Sequence, residues 1–332
     1  MQISRRSLIQ VGISAGLAIA SNSIGESLFA QSNEKPGKIQ IGFWPVASGL
    51  PLFLAVKKGL FKEVGLDVEA VKFASPNQVA EALIADRLQG TGNGMATGVL
   101  AISEIASPNL FKIIASNPSN VKNVLDQVVV AKNSPIKSMA DLKGKKFATG
   151  PGAQNKAIAE GILAKNGITG GQILQLEVRL HVGALESGQI DAVYTLEPTG
   201  TVGTIKGLTR VLENGVVSKY ILGDPNAPWF GGCATLSTKF ISQFPQTTKT
   251  FIQAYRKAVL SVRNNPNQAR QFLEGYTAIE GELTKMVPLA AYTMFDEFKA
   301  ADLRYFQAFL DFLQQKGVLT KPLQVAPLIY KA

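Results

Sequence analysis

The chain has 332 residues, 46% of them hydrophobic and 17% charged, a globular composition long enough for two domains of ordinary size. With one cysteine, Cys233, and one histidine, His181, an internal disulfide and a Cys/His zinc site are excluded, so packing alone must hold the fold. The net charge of +10 is scattered, its densest run (Lys143-Gly144-Lys145-Lys146) straddles a turn signal, and no nucleic-acid reader motif accompanies it; the basic residues read as a solvated surface, or more weakly as a field that draws small anions.

Residues 1–30 read as an export signal. Arg5 and Arg6 precede a short apolar stretch with Leu8, Val11, Ile13 and Leu17, and small residues then lead to Ala30 as the expected cleavage point. Ala18-Ile19-Ala20 offers a competing site. The stretch is too short to span a bilayer comfortably, and no later segment is long enough to try. Ser4-Arg5-Arg6-Ser7-Leu8-Ile9 resembles the twin-arginine export motif, the other option being a general secretion signal. No cysteine lies near the exit, so a periplasmic protein without a lipid anchor is expected. Gly12-Ile13-Ser14-Ala15-Gly16 matches a nucleophile-elbow pattern but sits inside the apolar stretch with no strand before it, so it is discarded.

In the mature chain, Ile39 to Phe43 alternates like a strand, and Pro51 opens a helix with Leu52, Val56 and Leu60 on one face. Leu66 to Val71 predicts a second strand, and Ser75-Pro76 starts a helix continued by Val79 and Leu83. The glycine-rich Gly90-Thr91-Gly92-Asn93-Gly94 is read as the end of this unit. Such β-α-β-α alternation predicts a parallel-type sheet covered by helices. After Phe111 to Ala115 and a polar stretch comes the strand Val128 to Val130, near which the crossing between lobes is expected.

The second unit repeats the logic. Phe147 to Thr149 predicts a strand, Gln154 to Lys165 a helix stopped at Asn166-Gly167, Glu177 to Leu180 a strand, Val182 to Ser187 a short helix, and Ile190 to Tyr194 a strand. Residues 82–90 loosely echo residues 184–192, as two similar α/β lobes would. From Thr247 onward the pattern is helical, with Phe251, Tyr255 and Val259 aligned; Asp296 to Lys316 forms another helix ended by Gly317, and the tail is expected to pack back on the first lobe.

Three segments carry a specific resemblance. They are Pro51-Leu52 with Gly59-Leu60-Phe61-Lys62-Glu63-Val64-Gly65-Leu66-Asp67-Val68-Glu69, then Ala184 to Ala192 followed by Glu197-Pro198, and more weakly Asp141 to Lys146. On these the chain resembles the substrate-binding proteins of ABC importers, in the branch serving nitrate, aliphatic sulfonates, taurine and some pyrimidines. The family usually has glycine and aspartate where this chain has Asp86 and Gln89, which warns against assuming a well-studied ligand. The resemblance implies a type II periplasmic-binding-protein-like α/β fold, two lobes joined by a hinge. Residues 36–126 with 233–332 are expected to make lobe 1, and residues 127–232 lobe 2. It also implies a ligand that closes the lobes by touching both, permease and ATPase subunits as partners, a monomer, and no cofactor.

Ligand contacts are expected in loops beyond the carboxyl ends of strands. In the first loop, Phe43 to Leu50, Trp44 forms an apolar wall or fills the core, and Ser48 is a hydrogen-bonding cap flanked by Gly49 and Leu50. Ser75 either caps its helix or marks an anion site. Gly94, Met95 and Thr97 lead into another helix, with Thr97 as a donor and Met95 equally plausible as packing. Residues 150–155, ending in Gln154 and Asn155, let backbone amides approach an anion, or form a plain turn. Arg179 could pair with a sulfonate or carboxylate or lie on the surface; His181 is structural or a ligand contact; Glu197 accepts a hydrogen bond from a ligand or has a structural role. Trp229-Phe230 lines the second lobe's edge or simply packs.

An enzyme on this fold, such as a pyrimidine-synthesis relative, relies on a cysteine-rich metal motif that one cysteine cannot supply, and no Ser/His/Asp or paired-carboxylate arrangement is assignable. A transcription regulator would need a helix-turn-helix where the export signal stands. The expected function is therefore capture of a small organic anion, such as an aliphatic sulfonate, without catalysis and without nucleic acid. An aromatic or heterocyclic nutrient is the alternative.

Overall fold

A computed structural model describes residues 36–332; the export signal expected over residues 1–30 lies outside the described residues. Eleven strands follow in chain order: β1 (Ile39–Phe43), β2 (Val68–Lys72), β3 (Gly90–Ala96), β4 (Phe111–Ser116), β5 (Asp126–Ala131), β6 (Phe147–Thr149), β7 (Ile173–Gln175), β8 (Ala192–Leu196), β9 (Thr209–Asn214), β10 (Gly232–Ser237) and β11 (Thr293–Met294). They form two sheets, ordered β11-β4-β10-β3-β1-β2 and β7-β6-β8-β5-β9, each flanked by helices: two α/β lobes. The chain leaves the first sheet after Ser116, enters the second at Asp126, and returns between Asn214 and Gly232. Where these two crossings pass one another, Ser119 and Trp229 exchange backbone hydrogen bonds of 3.0 and 2.9 Å.

Both sheets are mixed rather than purely parallel. β1 runs parallel to β2 and β3, and β6 parallel to β7 and β8, as crossover helices require. But β10 returns from the other lobe and inserts antiparallel between β3 and β4, while β5 lies antiparallel to β8 and β9. The glycine-rich segment read as the end of the first unit is instead β3, wholly buried. Its glycines make room: a Cβ on Gly90 would lie 2.1 Å from the Thr235 carbonyl oxygen, and one on Gly92 2.7 Å from Leu52. Similarly, residues 178–180 are a tight helical turn rather than a strand, and the edge strand lies earlier, at β7.

The helices follow the apolar spacing. Pro245–Asn264 buries Phe251, Ile252, Tyr255, Ala258, Val259 and Val262, at the three- and four-residue intervals that place side chains on one face. The helix Pro76–Ile84 starts with Pro76 in its first turn and Ser75 Oγ accepting from the Gln78 N–H at 3.4 Å. Just beyond that helix, Asp86 takes a positive φ of 58°, which aspartate tolerates better than most residues. Near the C-terminus, the Tyr330 N–H donates to the Ile113 carbonyl on β4 at 2.9 Å, fastening the tail to the first sheet. Among the described residues no helix is long and apolar enough to cross a membrane.

Candidate functional site

The seam between the lobes is closed by direct contacts. The Ala47 N–H donates to the Glu197 carbonyl at 2.9 Å, joining the loop after β1 to the end of β8. Gln154, on the helix after β6, accepts from the Gly98 N–H and donates through Nε2 to the Gly231 carbonyl at 3.4 Å. One apolar core crosses the seam, containing Trp44 and Val99 with Tyr194, Leu196 and Ala157.

Inside the seam lies a cavity of about 10 Å³, room for roughly one water molecule. Trp44, Ser48, Gly94 and Asn117 line it from the strand ends of the first sheet, and Leu125, Leu196 and Gln154 from the second. Trp229 and Gly231 complete it from the returning crossing, and Gly232 from the start of β10. A space of this size holds no organic solute. A larger groove of about 400 Å³ runs beside the edge strand β2, lined by Lys38, Phe61 and Tyr276, but it touches the first lobe alone and cannot report on closure.

Three polar atoms of lining residues are left unpaired. Ser48 Oγ, Asn117 Nδ2 and Trp229 Nε1 are all buried without a hydrogen-bond partner. A buried group of this kind costs about 1–3 kcal/mol unless a partner such as a water or a ligand atom reaches it. Local backbone geometry holds the three there. Gly94 has φ 88°, and a Cβ on it would lie 2.7 Å from both Ser48 Oγ and Val46. A Cβ on Gly232 would lie 2.9 Å from Asn117 Oδ1. Glycine at both positions lets the strand ends approach the cavity closely.

Of the residues singled out from the sequence, Trp44, Ser48, Gly94, Gln154 and Trp229 come together around this cavity, whereas Phe230 stacks on Phe306. Asn155 lies close by, its Nδ2 donating to the Pro151 carbonyl at 2.9 Å, and a Cβ on Gly150 would sit 3.8 Å from the Trp44 ring. The others are engaged elsewhere. Phe43 packs edge-on against Phe53 with centroids 5.0 Å apart; Gly49 and Leu50 are buried beside it at the start of the first helix. Met95 is buried in β3, and the Thr97 hydroxyl donates to the Phe230 carbonyl at 2.8 Å. Ser75 is occupied with its own helix. Arg179 is exposed and paired with Glu177 at 2.6 Å.

His181 is fully buried. Its Nε2 lies 3.0 Å from the Leu176 carbonyl, which can only accept, so Nε2 carries the proton and Nδ1 accepts from the Thr195 hydroxyl at 2.9 Å. Burial pushes its pKa down to about 4, so the ring is neutral in ordinary buffers. The Glu197 carboxylate accepts from the Thr201 N–H at 3.2 Å, and burial raises its pKa. Asp126, at the start of β5, is likewise pushed up to about 6 by burial, with Oδ2 accepting from the Val217 N–H at 2.8 Å.

Asn117, Leu125 and Leu196 were not found from the sequence. Asn117 follows β4 directly, so the strand-end rule that selected the first loop would have selected it, had β4 been placed beside β10. Leu125 and Leu196 carried no signal, because an isolated leucine has no feature separating a cavity wall from core.

Comparison with known proteins agrees with this architecture. A Haemophilus influenzae protein named for thiamine biosynthesis is 24% identical over 284 residues, covering 82% of this chain and 84% of the relative. A Bacillus subtilis protein named for binding aliphatic sulfonates is 29% identical over 238 residues, covering 70% and 67%. Among solved structures, the alkanesulfonate-binding protein SsuA of Xanthomonas axonopodis pv. citri, bound to MOPS, superimposes with a TM-score of 0.71 at 20% identity, covering 90% of this chain and all of that one. The family model described as NMT1/THI5 like matches residues 47–269, most of the described fold, and the chain belongs to that family.

Proposed function

We propose that the chain is the solute-binding component of an ABC importer. It holds a small organic anion of the aliphatic sulfonate kind at the seam, carries out no reaction on it, and passes it to the permease, which recognises the closed form. The observation carrying this reading is the set of unpaired buried donors, Ser48 Oγ, Asn117 Nδ2 and Trp229 Nε1, around one cavity between two lobes. A sulfonate head offers three acceptor oxygens to such a set, and closure around it gains contacts from both lobes. Relatives named for sulfonate binding support the same class of ligand. In this reading residues 36–126 with 233–332 form lobe 1 and residues 127–232 lobe 2. The protein acts as a periplasmic monomer after twin-arginine export, without a lipid anchor.

A thermal-shift screen of the purified protein against sulfonates, nitrate, taurine and pyrimidines tests this reading. Sulfonates are expected to raise the melting temperature through linkage, by an amount that grows with concentration. Stabilisation by heterocycles alone would instead favour an aromatic nutrient, a second reading motivated by Trp44 and Trp229 lining the same cavity.

A further inference from the structure

Resting on the reading of two hinged lobes, we propose that closure of the seam is set from outside the cavity by the contact of Gly161 with Phe312, so that these two residues tune solute affinity without touching the solute. The helix Ala300–Gln315 follows β11 of the first sheet and lies along the returning crossing. Phe306 stacks on Phe230 with centroids 5.1 Å apart, and Phe309 meets Trp229 edge-on at 5.7 Å. The last turn of this helix then divides between the lobes. Leu313 packs on the helix Thr97–Ala106 of the first, where a Cβ on Gly98 would lie 2.7 Å from Leu313 Cδ1. Phe312 turns to the helix Ala153–Lys165 of the second, where a Cβ on Gly161 would lie 2.9 Å from Phe312 Cζ.

Gly161 supplies space rather than backbone freedom. It is buried in mid-helix without a positive φ, a position at which alanine is the better helix former. The absent methyl is what lets the two helices approach. Ile221 Cδ1, 2.6 Å from the same point, ends a flexible side chain and can swing aside. The Phe312 ring has less freedom. It lies against Phe309 at 6.3 Å with 20° between the planes, and Phe309 is in turn held by Trp229. A methyl at position 161 therefore pushes the second lobe away from the first.

The contact is remote from the solute yet mechanically joined to it. Neither Gly161 nor Phe312 lines the cavity, whereas Trp229 does. The helix that carries Gly161 also carries Gln154, whose side-chain oxygen accepts from the Gly98 N–H across the seam. Tilting that helix off Phe312 thus loosens the seam at the cavity. A solute that touches both lobes binds the shut form, so its apparent affinity scales with the fraction of molecules that are shut. A residue acting only on this fraction changes the affinity for every solute by one factor and leaves their ranking alone.

Small-angle X-ray scattering of the purified protein without added solute tests this on wild type, Gly161→Ala, Phe312→Ala and the double variant. Gly161→Ala is expected to enlarge the radius of gyration, and to add far less in the Phe312→Ala background, where the opposing ring is gone. Calorimetric titration is expected to show 1-propanesulfonate and ethanesulfonate each binding Gly161→Ala about 10-fold more weakly, with their ratio unchanged. A radius of gyration left at the wild-type value by Gly161→Ala, or an effect as large without the Phe312 ring as with it, would overturn the inference. Failure of wild type to bind either sulfonate would overturn the anion reading alone, since scattering reports closure with no solute present. Should Gly161→Ala lose cooperative unfolding, Phe312→Ala decides the matter by itself. It trims a half-buried ring from the shut form, so it is expected to enlarge the radius of gyration, and no change would overturn the inference.

Discussion

His181 is the only histidine in the chain, and its burial couples folding to pH. Its pKa falls from 6.5 to about 4 because the charged ring would lose its water, a loss that the Leu176 and Thr149 backbone groups offset only in part. The unfolded chain therefore takes up this proton first. The stability His181 contributes is complete above pH 6.5 and is lost as pH falls through 4, about 3 kcal/mol in all. Asp126 works in the opposite sense. Its pKa rises from 3.8 to about 6, so its contribution is complete below 3.8 and is lost as pH rises through 6. Denaturant titrations of wild type and His181→Gln should separate them: the wild-type advantage is expected to shrink on acidification from pH 6.5 to 4. An advantage constant across that range would mean that the ring does not titrate as its surroundings imply. From sequence alone, ligand contact and structural role were both open for His181; Thr195 and Leu176 became its partners only when β8 and the turn before the short helix met.

At the scale of elements, Ser75 offers a similar choice between cap and anion site. Its hydroxyl accepts from the Gln78 N–H, and the site lies at the start of a helix that carries Asn77 within 3.7 Å of where a Gly152 Cβ would stand. A cap that is merely structural predicts that Ser75→Ala lowers unfolding free energy by about 0.5–1 kcal/mol and leaves sulfonate affinity unchanged. A loss of affinity without a loss of stability would return Ser75 to the ligand site. Elements with local punctuation were the legible ones: Pro51, Ser75-Pro76 and Asn166-Gly167 mark helix ends by chemistry confined to a few residues. β3 was misread because its glycines serve a close approach to β10 and Leu52, partners distant in the chain. β9 and β10 went unrecognised for a related reason, since each is defined by antiparallel pairing with strands distant in the chain.

At the scale of the molecule, the reading places the protein outside the cytoplasm, and the route can be tested without altering charge. Arg5→Lys with Arg6→Lys preserves both positive charges, so a general secretion signal should continue to export the protein, while a twin-arginine signal should leave the precursor inside the cell. Fractionation followed by immunoblotting distinguishes the two, and undiminished export would exclude the twin-arginine route. Periodic apolar spacing, capping residues and the Gly59-to-Glu69 and Ala184-to-Ala192 segments were sufficient by themselves to determine an α/β chain of this family, because such signals depend on neighbours within a few residues. Tertiary structure alone decided that Ser48, Asn117 and Trp229 meet at one cavity and leave their donors unpaired there. Those residues lie far apart in the chain, and whether a polar atom is buried and unsatisfied depends on which distant segments shut water out.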